Sequence, residues 1–199
     1  MPLGANKAAI MGVAGVSTAD VVLLSSQTAS GAASLSFTGL MTSTYGEYIF
    51  KFYNINPVTD SMELHFQVNA TDGADYNDSN IMSTMVRVYN FEDGSDTDLG
   101  YQTGHDFAQS TSFITLAFDI GNDGDESSSG ELHIFNPAST TYVKHFYATF
   151  SVYGVSSGDP VLYHTLVGGY INDTTAIDDI QFKVSSGNFD GKIKMWGVK

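Results

Sequence analysis

The sequence predicts an all-β fold: an antiparallel two-sheet β-sandwich of jelly-roll-like form with an N-terminal arm. Three observations carry this. Apolar and polar residues alternate with period two in one segment after another. Short clusters of Gly, Ser, Asp and Asn separate those segments at regular intervals. No stretch shows the 3.6-residue periodicity of an amphipathic helix. A closed barrel shares these features and is the second architecture they allow. No repeat of fixed period runs through the chain, which argues against a propeller or a parallel β-helix.

Residues 1–19 form the expected arm, small and flexible in composition around Gly4, Gly12 and Gly15. Lys7 followed by Ala8 to Val16 loosely mimics a signal peptide, but the Gly-interrupted, weakly apolar run with a single positive charge fits an extended arm or strand packed on its own domain or a neighbour better. Residues 20–199 form the sandwich domain. Val21 to Ser26 is the first strand, and a Ser30-Gly31 turn precedes the alternation of Leu35 and Phe37 with Ser34 and Ser36. From Tyr45 to Pro57, Tyr48, Phe50 and Phe52 take one face while Glu47, Lys51 and Tyr53 take the other. Asn54 to Pro57 closes this strand, because proline brings no donor to a ladder. Met62 to Val68 alternates most cleanly, with Met62, Leu64, Phe66 and Val68 opposite Glu63, His65 and Gln67, as in a half-buried antiparallel sheet. Thr84–Tyr89, Phe113–Ile120, Leu132–Phe135, Lys144–Tyr153, Tyr163–Ile171, Ile177–Val184 and Lys192–Val198 repeat the pattern. Turns are expected at Asp93-Gly94, Asp123-Gly124, Ser129-Gly130, Ser157-Gly158 and Ser186-Gly187.

The predicted core is aromatic. Phe50, Phe52, Phe66, Phe118, Phe146, Phe150 and Phe182 each contribute about 1.5–3 kcal/mol when fully buried. At 199 residues the chain has enough material for such a core without covalent staples, and it contains no cysteine. Eight Lys and Arg against 22 Asp and Glu give a formal charge of −14. Phosphate backbones and anionic lipid surfaces are therefore repelled, so no nucleic-acid partner is expected. No apolar run reaches the length of a membrane span, so no membrane insertion is expected either.

Three loops concentrate carboxylates: Asp72, Asp75 and Asp78; Glu92, Asp93, Asp96 and Asp98; and Asp119, Asp123, Asp125 and Glu126. Hard oxygen ligands in such groups suit calcium, and Asp72, Asp75, Asp78, Asp119, Asp123 and Asp125 are the candidate ligands. Solvated turns that use Asp, Asn and Gly for their backbone preferences are the alternative. The third loop resembles an EF-hand at Asp119, Asp123 and Gly124 but carries Gly121 and Gly130 where that motif needs ligands. His65, His105, His133, His145 and His164 lack zinc-ligand spacing. No Gly-x-Ser-x-Gly elbow or other nucleophile context accompanies the Ser, His and Asp residues, so no hydrolase triad is expected, whereas two carboxylates flanking a cleft could cleave glycosides and have no position that the sequence fixes. Tyr76, Tyr101 and Tyr142 are candidates for stacking on sugars, or else cover the bases of their loops. Trp196 reads as sheet packing. Asn69-Ala70-Thr71, Asn77-Asp78-Ser79 and Asn172-Asp173-Thr174 match the glycosylation motif, which matters only in a eukaryotic secretory setting.

Four segments taken together carry a family resemblance. They are Leu24–Phe37; Tyr45–Pro57, with its Tyr-x-x-Tyr start and Asn-Ile-Asn-Pro end; Ser129–Pro137 leading into Lys144-His145-Phe146; and Ile177–Phe182 with Ser185–Asn188 and Gly191–Val198. In this order and spacing they resemble small β-sandwich virion proteins and domains of tailed bacteriophages, especially marine ones, found in tail fibres, tail tips and head appendages. The chain has Trp196 where that pattern usually has tyrosine. The resemblance implies a non-enzymatic structural part of the virion, a head decoration or tail-fibre component assembled by surface burial as a homo-oligomer. Its partners would be other capsid or tail proteins, reached through the N-terminal arm and Val21 to Ser26. The alternative is a carbohydrate-binding module that recognises host surface glycan through the acidic loops and exposed tyrosines, with calcium as a conceivable aid.

Overall fold

The computed structural model describes residues 20–156 and 158–199. The arm expected over residues 1–19 lies outside them. Among the described residues there are thirteen strands: β1 (Val21–Ala32), β2 (Ser34–Phe37), β3 (Glu47–Pro57), β4 (Met62–Ala70), β5 (Ile81–Phe91), β6 (Thr97–Tyr101), β7 (Phe107–Ser110), β8 (Ile114–Ile120), β9 (Ser128–Phe135), β10 (Lys144–Ser156), β11 (Asp159–Ile171), β12 (Ile177–Val184) and β13 (Phe189–Val198). They form two sheets. The large one has nine strands in the order β1-β13-β3-β9-β10-β11-β5-β6, with β7 also on β5, and the small one has the order β2-β12-β4-β8. Every pairing is antiparallel. The chain crosses repeatedly between the sheets, since β2, β4, β8 and β12 of the small sheet are each flanked in sequence by strands of the large one. The expected sandwich is the observed fold.

The predicted aromatic core holds the sheets together. Phe50, Phe52, Phe66, Phe118, Phe146, Phe150 and Phe182 are all buried. Phe182 of the small sheet meets Phe50 and Phe52 of the large one at centroid distances of 5.2 and 5.0 Å. Phe66 meets Phe146 at 5.1 Å, edge to face. Such pairs contribute about 0.5–1.5 kcal/mol beyond area burial.

Several expected boundaries move, each for a physical reason. The strand expected from Tyr45 begins at Glu47, and Asn54 to Pro57 does not close it. Asn54 takes a left-handed φ of 49° as a bulge, and the strand resumes to pair Pro57 with Phe189. The bulge shifts the alternation, so Ile55 is buried where the original parity faced solvent. Ser30-Gly31 is likewise a bulge inside β1, where Gly31 has φ of 59° and its N–H donates to Asp190 Oδ1 at 2.7 Å. Gly130 is not a turn residue at all. It lies within β9, in register with Phe52 on one side and Phe150 on the other, and their rings meet across it at 5.0 Å. The strands β6 and β7 escape the alternation test because β6 lies at the sheet edge with almost every residue exposed and β7 is four residues long.

Candidate functional site

The strands carry their connecting loops to two opposite ends. At one end, Asn136 N–H donates to Gly46 O (2.7 Å), Ile177 N–H to Pro137 O (2.9 Å) and Thr71 N–H to Ala176 O (2.9 Å), so loops 38–46, 71–80, 136–143 and 172–176 gather there. At the other, Val58 N–H donates to Asn188 O (2.8 Å) and Glu92 N–H to Pro160 O (3.0 Å), gathering loops 58–61, 92–96, 121–127 and 185–188.

The first end holds a groove of about 640 Å³ lined by Ser43, Tyr45, Gly46, Phe135, Asn136, Ala138, Ser139, Tyr142, Val143 and His145. Its walls are tied down. The Tyr48 hydroxyl donates to Thr42 O at 2.8 Å and accepts from Thr42 N–H at 2.6 Å, which anchors the loop before Tyr45. Gly197 makes room for Tyr45, since a Cβ there would stand 2.5 Å from the ring. On the opposite wall, Asn136 turns the chain with a left-handed φ of 47°. Ser139 Oγ then accepts the N–H groups of Thr141 (3.2 Å) and Tyr142 (3.1 Å), fixing the turn that presents a 73% exposed Tyr142.

Of the three tyrosines expected to stack on sugars, the structure brings Tyr142 alone to this groove. Tyr76 is half-buried, and burial foremost, with the charges of Asp179 and Asp178, pushes its phenol pKa up against a hydrogen bond from Ser36. Tyr101 lies on the edge strand, where its hydroxyl donates to Asp106 Oδ2 at 2.6 Å, a bond that raises its pKa.

The candidate calcium ligands separate. Asp72 and Asp78 lie at the groove end, occupied by contacts with Thr175 Oγ1 (3.2 Å) and Ser79 Oγ (3.4 Å), and Asp75 is exposed. Asp123 and Asp125 lie at the opposite end, where the turn is held by Glu126 Oε2 accepting Asp123 N–H at 2.9 Å. Asp119 belongs to β8, and its carboxyl pKa is pushed up by burial against the opposing charges of His105 and Arg87. Among the described residues no three His, Asp or Glu side chains converge on a position suited to a metal.

Two polar clusters were not legible in sequence. Lys144 is fully buried at the start of β10, and its Nζ donates to the carbonyls of Asp173 (2.7 Å) and Thr175 (2.5 Å), locking the loop from β11 to β12. Glu63 Oε2 accepts from His65 Nε2 (2.8 Å) and Thr115 Oγ1 (2.9 Å) and lies 3.7 Å from His105 Nδ1. The His105 ring foremost, then His65, holds the Glu63 carboxyl far below the usual carboxylate range. His105 stacks on Phe118 at 4.4 Å, so the cluster pins the β6–β7 loop to β8.

The outer face of the large sheet divides by charge. On β6, β5, β11 and β10 the outward positions hold no Asp, Glu, Lys or Arg. Register places Tyr101, Val86 and Leu166 in one row and Leu99, Val88 and His164 in the next. Leu99 (66%), Tyr101, Leu162 and Leu166 are exposed there. The other half carries Lys51 and Glu131, paired at 3.3 Å, with His133 Nδ1 2.5 Å from Glu47 Oε1. The signal in the sequence is a strand apolar on both parities, as in Val161, Leu162, Tyr163, Leu166 and Val167.

Fold and surface together define a two-sheet antiparallel β-sandwich with a loop-built aromatic groove and a half-uncharged outer sheet. No protein-family model matches the chain, and no curated protein matches it.

Proposed function

We propose that the chain is a non-enzymatic structural protein of a tailed-bacteriophage particle, an outward-facing head decoration or tail-fibre component that assembles as a symmetric homo-oligomer. The observation that carries this reading is the uncharged, partly apolar half of the outer sheet on a chain of formal charge −14. Copies of so acidic a protein repel one another wherever charged surfaces meet. A neutral face rich in Leu, Val and Tyr is complementary to itself, as a two-fold interface requires. Exposed apolar patches of this kind mark interaction surfaces. The four sequence segments that resemble phage virion proteins support the particle context, and the acidity suits a position away from packaged DNA.

Docking to other virion proteins falls to residues 1–26, of which Asp20 is tied to the sandwich where Lys199 N–H donates to Asp20 O at 2.9 Å. Val21–Ser26 belongs to β1, the edge strand beside β13, and keeps Val21 and Leu23 exposed, so it supports the same docking. Antiserum against the recombinant protein, applied to purified particles of a phage encoding it, is expected to label the particle surface. Label that stays with the soluble lysate and never with gradient-purified particles overturns the reading. In solution, light scattering is expected to give a multiple of the 21.4 kDa chain mass. The Leu166→Asp variant should run as a single chain that keeps the β-sheet circular-dichroism spectrum of the parent, and a wild-type protein already monomeric at high concentration removes the sheet-face interface.

A further inference from the structure

We infer that the groove between residues 43–46 and 135–145 is a binding site for a short neutral saccharide, a role beyond the structural one. Its size, about 640 Å³, falls in the range of small-ligand sites. The lining chemistry narrows the class. Tyr45, Phe135 and Tyr142 supply aromatic surface, and Ser43, Asn136, Ser139 and His145 supply hydrogen-bonding groups. A sugar ring matches that mixture, since it has one face of C–H groups for an aromatic ring and an edge of hydroxyls for polar partners. Among the described residues no Asp, Glu, Lys or Arg lines the groove, although charged residues make up 15% of the chain. An anionic saccharide would find no Lys or Arg among those residues and would approach against the net negative charge, and a cationic peptide would find no carboxylate. The saccharide is therefore neutral.

The walls are built in advance, which lowers the ordering cost of binding. Asn136 N–H to Gly46 O at 2.7 Å closes the base of the groove between its two walls. Gly46 N–H donates to Val198 O at 2.9 Å, and Ser139 N–H to Asn136 O at 2.9 Å. Tyr142 is held at the mouth by its turn while its ring stays in water, so a ligand covers aromatic surface already in place.

The test is an amide chemical-shift titration of the full chain with neutral trisaccharides of glucose, galactose, mannose and N-acetylglucosamine. At least one is expected to shift the amides of residues 43–46 and 135–145. Tyr142→Ala, on an exposed side chain that leaves the thermal midpoint unchanged, should weaken that binding about tenfold. Tyr76→Ala and Tyr101→Ala should leave it unchanged. The inference is overturned if no trisaccharide shifts these amides at millimolar concentration, if the shifts map elsewhere, or if Tyr142→Ala binds as tightly as the parent. Particle labelling and oligomer mass are unaffected by any of these outcomes.

Discussion

Gly130→Ala tests the packing logic of the large sheet at one atom. Gly130 sits in β9 between Phe52 of β3 and Phe150 of β10, and the two rings close over its missing side chain. A Cβ would stand 2.2 Å from Thr149 O and 2.6 Å from two carbons of the Phe150 ring. The ring can turn, but the carbonyl is backbone, so β9 and β10 must part locally. Overpacking of this kind costs about 1–3 kcal/mol, and the need to move backbone places it at the upper end. Losing glycine's freedom in the unfolded chain returns about 0.4–1 kcal/mol. The net is a loss of about 2 kcal/mol, which for a chain of this size lowers the thermal midpoint by about 4–8 °C.

Two neighbouring glycines of β11 supply the control. A Cβ on Gly169 would stand 2.2 Å from Met82 O and 2.6 Å from the Phe146 ring, whereas one on Gly168, facing outward, meets nothing within 4 Å. Gly169→Ala should therefore fall like Gly130→Ala, while Gly168→Ala should hold or gain up to about 1 kcal/mol. Thermal melts by circular dichroism, with urea midpoints at constant m, read the difference. Midpoints for Gly130→Ala and Gly169→Ala within about 1 °C of the parent, or an equal loss at Gly168, would refute the reasoning.

The buried polar clusters make two further predictions. Glu63 has a folded-state pKa far below its ordinary 4.5, so its contribution to stability is complete above that pH and is lost as the solution is acidified below it. Glu63→Gln should flatten the fall in urea midpoint between pH 6 and pH 3, and an unchanged slope would show that the His65–Glu63–His105 contacts carry no such linkage. Lys144 has a pKa lowered by burial, partly offset by Asp173. The unfolded chain then binds the extra proton, so stability should rise with pH on the alkaline side as the folded-state pKa is passed. Lys144→Met keeps the volume but strands the carbonyls of Asp173 and Thr175, a loss of about 2 kcal/mol near neutral pH, and should abolish that alkaline rise. A Met variant as stable as the parent would mean that the loop from β11 to β12 holds without the ammonium.

The fold was legible because sheets advertise themselves by parity, and the buried phenylalanines sit at the positions alternation selects. Parity fails where burial is absent or glycine serves two purposes. Thr97–Tyr101 lies at an edge with water on both sides and so has no apolar face to display. Gly130 has the same local sequence as a turn, and the rings that explain it lie 78 residues before and 20 after, at Phe52 and Phe150. The groove was legible only in part, through Tyr142. Alternation makes Tyr45 a strand residue, and Phe135, Asn136 and His145 join it from other segments, a juxtaposition that register creates and no local pattern encodes. The Glu63 and Lys144 clusters were hidden for the same reason, since their partners come from β8, the β6–β7 loop and the β11–β12 loop.

The distribution of charge connects the two functional proposals. Asp72, Asp75 and Asp78 are at one end of the sandwich, and Glu92, Asp93, Asp123 and Asp125 are at the other. End-to-end contact between copies therefore brings carboxylates together, which at short range costs more than a modest apolar contact returns. The charged half of the outer sheet carries Glu47, Lys51, Glu131, Lys192 and Lys194, and a second copy packed there would have to strip water from those charges. What remains for assembly is the neutral half built on β6, β5 and β11. The groove lies at the ends of β9 and β10, beyond those three strands, so copies joined through Leu99, Leu162 and Leu166 would leave Tyr142 in water. An oligomer assembled in this way would present one groove per chain, and several weak saccharide contacts held together on a particle would act with the avidity that a single groove lacks.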